Sequence, residues 1–438
     1  MDFLYIMNGL KISHFTIVFQ GLFMARLLIN ISRKQAFVYA IFLVLYEFLT
    51  YIANDMIMPG MIDVVASFHA PESAVATSLT AYVLGGASLQ LFLGPLSDRF
   101  GRRPVMLFGA LFFFVLTILI ACTATIDQFL VARFFQGMGL CFICVIGYAT
   151  LQEIFAEMDA IRLIAIMANV SISAPLLGPL LGAVFIYYFS WRFIFVVIGA
   201  LALVALWGLW RFMPEPVGQT KRDGEQILRV SLSPRIIVAN YKKLFLNRSF
   251  ILGSMALGII YLPCMAWIGL SPIMIVKGAH FTIIEYGLWQ LPVFGAYILG
   301  NICLHRMTHS STVNSLILVG SYIAVIGLFI LYLLPFLGGQ HFVWMIPGLI
   351  AYFFGAGIVA APWSRFILFS TDVSKGTASA LMSMISMCIQ AGGIELANVL
   401  YATHSNSVFS LYCVLAAVAY CIVFAGAFYS HKKIELSV

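Results

Sequence analysis

Residues 37–59 read FVYAIFLVLYEFLTYIANDMIMP, an apolar run that contains two carboxylates, Glu47 and Asp55. About 20 predominantly apolar residues are enough to span a lipid bilayer as a helix. A charge at the centre of such a helix costs roughly 2.5–3.5 kcal/mol on insertion scales, so it usually faces a protein interior or a water-filled cavity. The run therefore predicts a membrane span that ends near Pro59, with its two acids as a candidate functional site.

The composition extends this prediction to the whole chain. Hydrophobic residues make up 62% of the 438 residues and charged residues 9%, and the mean hydropathy is +1.02, which excludes a water-soluble globule. Comparable apolar runs recur between charges, Gly and Pro. We predict an all-α integral membrane protein with twelve spans, near residues 37–59, 76–97, 104–125, 128–150, 162–186, 191–213, 249–276, 282–303, 312–334, 342–368, 376–399 and 406–430.

The basic residues predict the orientation. With the N-terminus placed inside, all but three of the 24 Lys and Arg fall in inner segments or at inner span ends. The exceptions are Arg133 within a span, and Arg192 and Lys277 on the outer side. Such a bias places both termini in the cytoplasm. The net charge of +7 is then explained by topology and by anionic lipid at the inner leaflet, not by a nucleic-acid partner.

The longest polar stretch divides the spans six and six. We predict a cytoplasmic or interfacial extension (1–36), a first bundle (37–213), a cytoplasmic linker (214–248), a second bundle (249–430) and a cytoplasmic tail (431–438). Two six-helix bundles are typical of transporters, whose substrate cavity lies between the halves near the bilayer midplane.

Three motifs lie in order on consecutive parts of the first half. They are GPLSDRFGRRPV (94–105), RFFQGMG (133–139) and APLLGPLLG (174–182). Together they resemble the signature loop, the buried-arginine motif and the proline–glycine motif of the major facilitator superfamily. VLYEFLTYIANDMIMPGM (44–61), MANV (167–170), EYGLWQLPVFGA (285–296) and SKGTASA (374–380) are similar to the bacterial drug/proton antiporters of the multidrug facilitator A type.

This resemblance implies a proton-driven antiporter of the bacterial inner membrane that exports lipophilic cationic and neutral compounds by alternating access. The alternative is a proton-coupled importer of a specific small solute, which can share the fold and the carboxylates. An enzyme lacks support, since no nucleophile–base–acid set is evident, and no GxxxxGK nucleotide-binding loop is present. We expect protons as the coupling ion, no cofactor or metal, lipophilic or cationic drugs and membrane lipids as partners, no nucleic acid, and a monomer.

The depths of the charged residues suggest different roles for the two acids. Glu47 lies about 15 Å along the helix from Phe37, near the midplane, and Asp55 lies about 12 Å further out. Their side chains are about 80° apart around the helix, so Glu47, Tyr51 and Asp55 are predicted to line one cavity. We expect Glu47 to meet a cationic substrate and Asp55 to exchange protons. A purely structural pair, held by hydrogen bonds in the bundle, is the alternative.

Arg133 is predicted at the depth of Asp55. Arginine keeps its charge in proteins, so it is a fixed counter-charge that either biases the protonation of Asp55 or serves structural pairing. By resemblance, the candidate substrate-lining residues are Tyr51, Asn54, Met167, Asn169 and Gln290, beside Glu47 and Asp55. Glu395, near the outer end of span 11, is a third acid with either a structural or a coupling role.

The remaining candidates are gating residues. The resemblance implies that Asp98, Arg99, Arg102 and Arg103 form charge contacts that latch the inner side, while Gly94 and Gly101 allow a close approach and a tight turn. A solvated, topology-setting role is the alternative for these charges. Pro175, Gly178 and Pro179 are predicted to favour a bend in span 5, because proline removes backbone donors. Packing alone is the alternative there.

Overall fold

The structure is a computed structural model that describes residues 26–222, 224, 226–227, 234–308, 311–339 and 341–435. The helical segments of the first half are α1 (Arg33–Ser67), α2 (Ala74–Ser88 and Gln90–Phe100), α3 (Arg102–Ala121), α4 (Ile126–Ile154), α5 (Glu157–Tyr188) and α6 (Trp191–Phe212). Those of the second half are α7 (Arg248–Gly278), α8 (Ile283–Met307), α9 (Val313–Gly338), α10 (Phe342–Phe369), α11 (Lys375–Tyr401) and α12 (Asn406–Ser430). The described part of the linker contains one further helix, Pro234–Leu246.

These segments follow the predicted spans in order, and most edges agree to within about one helical turn. Within the described residues, ten segments are long and apolar enough to cross a membrane, and α2 is an eleventh if its two parts, bent by 41°, count as one span. In α5 the described residues include a shorter apolar stretch, Ser173–Tyr188. The all-helical membrane fold is confirmed, whereas twelve crossings and cytoplasmic termini stay predictions.

The predicted end of the first span at Pro59 is wrong. The α-helix of α1 ends at Asp55, but the backbone continues through a 3₁₀ turn, Met58–Gly60, and a helix, Met61–Ser67. Pro59 lies in the first turn of the 3₁₀ segment, where its missing N–H is not needed for a helical bond. The consequence is a break in α1 directly after Asp55.

Close packing within the first half brings α2 and α4 together. A Cβ atom at Gly85 would overlap the carbonyl of Phe134, and one at Gly137 would overlap the carbonyl of Tyr82. Small residues allow such close approach between membrane helices. This contact presents the side chain of Tyr82 to Arg133 in the middle of the bundle.

The two halves meet mainly through α2 with α11 and α5 with α8. On the side predicted to face outward, Lys277 Nζ lies 2.6 Å from Glu72 Oε1, and the Asn398 amide donates to the Ser73 carbonyl at 3.0 Å. Both contacts join a residue of the first half to one of the second. They connect the two halves on this side of the space between the bundles.

The segment that precedes α1 belongs to the first bundle. Leu28 N–H donates to the Ile154 carbonyl at 2.8 Å, and Ala156 N–H donates to the Arg26 carbonyl at 2.8 Å. Arg222 N–H donates to the Leu28 carbonyl at 2.7 Å. The described end of the predicted extension therefore contacts both the loop after α4 and the linker. Residues 1–25 lie outside the described part of the chain.

Candidate functional site

Glu47 is fully buried in the first half. Its Oε1 accepts hydrogen bonds from the Tyr148 hydroxyl of α4 and the Ser171 hydroxyl of α5, each at 2.7 Å. Its Oε2 is buried and has no hydrogen-bond partner among the described residues. Burial in apolar surroundings favours the neutral form of a carboxyl, whereas donors to one oxygen stabilise the charge. Burial and the two hydroxyl donors therefore act on this carboxyl in opposite directions.

The prediction that Glu47 lines the same cavity as Tyr51 and Asp55 is wrong for this structure. The central cavity of about 430 Å³ is lined by Tyr51, Asp55, Tyr148 and Ser171, but Glu47 lies behind the last two. The physical reason is that the Tyr148 and Ser171 hydroxyls donate to the Glu47 carboxylate and hold it on the side of α1 that faces α4 and α5. The acid that faces the cavity is Asp55.

Arg133 is fully buried beside the outer part of α1. Its guanidinium donates to the Ala53 carbonyl at 3.3 Å, to Gln136 Oε1 at 2.7 Å and to Ser78 Oγ at 3.3 Å. It also lies over the Tyr82 ring, 4.5 Å from the ring centroid. A buried cation needs such a complete set of partners to be tolerated.

Arg133 reaches Asp55 through Asn54. The guanidinium donates to Asn54 Oδ1 at 2.6 Å, and the Asn54 amide donates to Asp55 Oδ1 at 3.2 Å. Arg133 lies at the depth of Asp55, and Asn54 lies among the lining residues, as the sequence predicts. The position of the Asn54 amide between the two charges was not predicted.

Both halves contribute to the central cavity, but they contribute different chemistry. The first half supplies Tyr51, Asn54, Asp55, Leu79, Tyr82, Val83, Leu140, Tyr148, Ser171 and Pro175. The second half supplies Tyr261, Cys264, Met265, Ile268, Phe294, Tyr297, Phe353, Met387 and Gln390. Asp55 is the one carboxylate among these described lining residues. The cavity thus has an acidic wall opposite an aromatic and sulfur-containing wall.

Two of the proposed lining residues, Gln290 and Met167, lie elsewhere. Gln290 is buried in the second half, where it accepts from Trp267 Nε1 at 2.8 Å and lies 3.4 Å from Ser271 Oγ. Met167 is buried one helical turn before Ser171, whose hydroxyl lies 3.1 Å from the Met167 carbonyl. Neither side chain lines the central cavity in this structure. The side chain of Asn169 lies outside the described part of the chain.

The contacts recorded for the signature-loop charges lie within the first half. Arg102 forms an ion pair with Asp98 at 2.6 Å and with Glu153 of α4 at 2.8 Å. The Arg103 guanidinium donates to the Trp210 carbonyl at 2.6 Å, and Arg99 lies over the Phe100 ring. These contacts bind the inner ends of α2, α3, α4 and α6 together.

Gly101 makes the tight turn that the motif predicts. Its φ of +104° favours glycine, and a Cβ atom there would clash with the carboxylate of Glu215. That carboxylate accepts from the backbone N–H groups of Arg102 and Arg103, each at 3.0 Å, and so caps the start of α3. Gly94 lines a second cavity on the inner side and lies near Val145.

The proline–glycine motif packs α5 against the break in α1. A Cβ atom at Gly178 would lie 2.7 Å from the Cβ of Asp55, so only glycine allows this approach. Pro175 lines the central cavity, and the Pro179 carbonyl lies close to Gly287 of α8. The helix Glu157–Tyr188 is continuous through both prolines.

The second cavity, of about 370 Å³, lies on the inner side between the halves. Asp98, Arg102 and Gln152 line it from the first half, and Lys375 and Thr377 line it from the second. Tyr148 borders both this cavity and the central one. The hydroxyl that binds Glu47 therefore belongs to a side chain in contact with both spaces.

Sequence reasoning missed four residues that hold the charged groups: Tyr148, Ser171, Glu153 and Glu215. Ser171 directly follows the MANV motif, and Glu215 lies two residues after the predicted end of span 6 at residue 213, so their positions beside predicted features gave a weak signal. Glu395 accepts from Asn398 at 3.3 Å through one oxygen, and its other oxygen is buried without a hydrogen-bond partner in the described structure. This acid thus lies beside the contact that Asn398 makes across the outer side.

Comparison with known proteins gives consistent results. A model of the Major Facilitator Superfamily matches residues 43–394. The chain is 45% identical over 379 residues to the protein of Escherichia coli O157:H7 called "Multidrug transporter MdfA", covering 86% of this chain and 90% of that protein. It is 43% identical over 392 residues to the protein of the same name from Edwardsiella ictaluri (strain 93-146), covering 90% and 94%.

Solved structures show the same fold at low sequence identity. A bacterial homolog of the human lysosomal transporter Spinster, in an inward-facing and unoccupied conformation, has a TM-score of 0.67 at 13% identity, covering 92% of this chain and 98% of that one. The xylose transporter XylE from E. coli, in a partially occluded inward open conformation, has a TM-score of 0.63 at 15% identity, covering 87% and 96%. At these identities the likeness concerns the fold alone.

Proposed function

The chain belongs to the Major Facilitator Superfamily, and from this premise we propose that it is a proton-driven multidrug antiporter that exports lipophilic cationic and neutral compounds. It is a multi-pass transporter of the bacterial inner membrane, not an enzyme. The observation that carries the proposal is the placement of Asp55 at the wall of a large aromatic cavity, with Glu47 buried directly behind that wall.

The cavity suits a lipophilic ligand with a positive end. Ligand sites are mostly apolar with a few placed polar groups, and aromatic faces attract cations. Phe294, Phe353 and the hydroxyl-paired Tyr261 and Tyr297 supply an adaptable apolar surface. Asp55 supplies the charge opposite them. A neutral compound uses the same apolar surface without the charge, which accounts for a mixed substrate range.

Competition between a proton and a substrate supplies the coupling. An ionised carboxylate in an apolar site is costly unless it is compensated, so the empty site favours protonation. A cation bound against Asp55 adds a positive charge in front of the wall that covers Glu47, which favours the ionised form of Glu47, and Glu47 releases its proton. The division of roles that the sequence suggested is thereby revised: Asp55 meets the substrate, and Glu47 is the buried carboxyl that responds to protons.

Tyr148 supplies a path for the proton from Glu47 to the cytoplasm. Its hydroxyl donates to Glu47, and its side chain borders the inner cavity. The outer contacts Glu72–Lys277 and Asn398–Ser73 close the opposite side in this conformation. Alternating access then requires these outer contacts to open after the substrate is bound. The transporter needs no cofactor besides protons and works as a monomer in contact with lipid.

The test is transport by everted membrane vesicles energised with a proton gradient. Ethidium uptake into the vesicles should collapse with an uncoupler and should be lost in the double variant Glu47→Gln, Asp55→Asn. Asp127→Asn, which changes an exposed acid at the start of α4, is the control and should transport normally. Full uncoupler-sensitive uptake in the double variant would refute the proposal, and proton-coupled uptake of a polar solute in intact cells without dye export would favour an importer.

A further inference from the structure

The hydroxyl of Ser171 lies between two acceptors. Its Oγ is 2.7 Å from Glu47 Oε1 and 3.1 Å from the backbone carbonyl of Met167, four residues earlier in α5. A serine hydroxyl carries one hydrogen, so it donates to one acceptor at a time. Ser171 therefore has two alternative hydrogen bonds, one to α1 and one within its own helix.

The charge of Glu47 decides between these bonds. A hydrogen bond to an ionised acceptor is roughly twice as strong as one between neutral groups. An ionised Glu47 thus holds the hydroxyl, whereas a protonated Glu47 offers only a neutral oxygen that competes with the Met167 carbonyl. The other titratable groups near Glu47 are Tyr148, Tyr51 and Cys144. All three types are ordinarily uncharged at neutral pH, so the carboxyl is the group that changes.

The position of Ser171 in α5 means that a change of its hydrogen-bond partner can affect the shape of the helix. It precedes Pro175 by four residues, and proline has no N–H to donate to the Ser171 carbonyl. Pro179 has the same effect on the carbonyl of Pro175. A serine hydroxyl that bonds to the carbonyl four residues earlier also tends to bend a helix. The second bond of Ser171 therefore lies in the turn directly before the two carbonyls of α5 that lack a backbone N–H donor.

The part of α5 that follows Ser171 contacts both the acid of the central cavity and the second half of the protein. Gly178 packs on Asp55, and the backbone at Pro179 and Leu180 packs on Gly287 of the second half. A change in the bend of α5 at Ser171 would alter both contacts. One hydroxyl thus connects the charge of Glu47 with the substrate-facing acid and with the interface between the halves.

We propose that Ser171 is a positioning residue that transmits the protonation of Glu47 to the shape of α5 by exchanging its hydrogen bond between Glu47 and the Met167 carbonyl. The inference rests on the proposed function and adds a named element to it. Ser171 stabilises the ionised carboxyl when it donates to Glu47, and it favours a bent α5 when it donates within the helix.

The experiment measures proton release from the purified full-length protein on addition of tetraphenylphosphonium, across a range of pH. In Ser171→Ala the ionised form of Glu47 loses a charge-assisted donor, so Glu47 stays protonated to higher pH. The midpoint of the release profile should move up by about one pH unit, and maximal transport should fall severalfold. Ser171→Thr keeps the hydroxyl and should retain the midpoint of the parent protein.

The outcomes separate this inference from the proposed function. Proton release in the parent protein with an unchanged profile in Ser171→Ala would overturn the role of Ser171 and leave antiport intact. Absence of release in the parent protein would refute antiport itself. Should Ser171→Ala fail to fold, Ser171→Cys replaces the donor with a weak one and should give a smaller upward shift; a normal profile there would also overturn the inference.

Discussion

Arg133 and Asp55 are joined through a single amide, because Asn54 accepts from the guanidinium at 2.6 Å and donates to the carboxylate at 3.2 Å. The amide lets the fixed positive charge favour an ionised Asp55 without forming a direct ion pair. A direct pair would hold the carboxylate too strongly for a substrate or a proton to compete. The intermediate residue therefore tunes the acid that faces the cavity.

Asn54→Ala should remove this connection and reduce ethidium efflux by about tenfold or more, because the guanidinium and Asp55 each lose a partner. Arg133→Met should cause a similar loss. The double variant should be little worse than either single one, since residues in one hydrogen-bonded chain are not additive. Initial efflux rates give the comparison, with Asn314→Ala at the exposed start of α9 as the control. If the efflux losses of the two single variants instead multiply in the double variant, Asn54 does not connect the two charges.

The two acids should respond differently to neutralisation. Asp55→Asn should weaken binding of a lipophilic cation by about tenfold or more while leaving a neutral substrate nearly unaffected, because Asp55 faces the cavity. Glu47→Gln keeps an oxygen for Tyr148 and Ser171 but fixes the neutral form, so it should abolish proton release with little effect on binding. Equilibrium binding of tetraphenylphosphonium and of an uncharged drug separates these effects. Single variants with the same profile would contradict the division of roles.

The sequence predicted the fold because its signals are repeated. Apolar runs, the basic bias of one side and three motifs all indicate a two-bundle transporter, and a helix is the structure in which an apolar span can satisfy most of its backbone hydrogen bonds within lipid. Depth along a helix was also predictable, since the rise per residue is fixed: Arg133 was predicted at the depth of Asp55, and it contacts the adjacent residue, Asn54.

The contacts of Glu47 were not predictable in the same way. They depend on the rotation of α4 and α5 against α1, and a π-helical turn, Phe142–Gly147, immediately precedes Tyr148. Nothing in the apolar pattern of α4 indicates such a turn, yet it changes which face of the helix follows. Hydroxyl-bearing residues are common in membrane helices, so Ser171 gave no signal until the packing of α5 was known.

The turn at Gly101 makes a prediction about stability. Gly101→Ala must adopt a φ that L-residues avoid and must displace the Glu215 carboxylate that caps α3. Strain of this kind costs on the order of 1–3 kcal/mol. We expect a lower melting temperature and lower yield of purified protein. Gly376→Ala, where a Cβ atom meets open space at the start of α11, should behave like the parent protein. Equal melting temperatures for the two variants would show that the turn is not required.

The outer ion pair makes a prediction about conformation. Glu72 and Lys277 are about two-fifths exposed and 2.6 Å apart, so the pair contributes little to overall stability, within about 0–1 kcal/mol. Because it joins the two halves only when the outer side is closed, that small energy biases the conformational equilibrium by up to about fivefold. Lys277→Glu should repel Glu72 and shift the protein towards an open outer side.

Distances between spin labels attached to cysteines introduced at Ala124 and Thr403, in the outer loops of the two halves, provide the measurement. In a background lacking other reactive cysteines, Lys277→Glu should increase the population at long distance. The exchange Glu72→Lys with Lys277→Glu should restore the original distribution, because the two positions again carry opposite charges that attract each other. High salt should reduce the difference between the single variant and the parent, since exposed charges are screened. If the distance distribution is the same in the parent, in Lys277→Glu and in the exchange variant, other contacts, such as Asn398 with Ser73, hold the outer side closed by themselves.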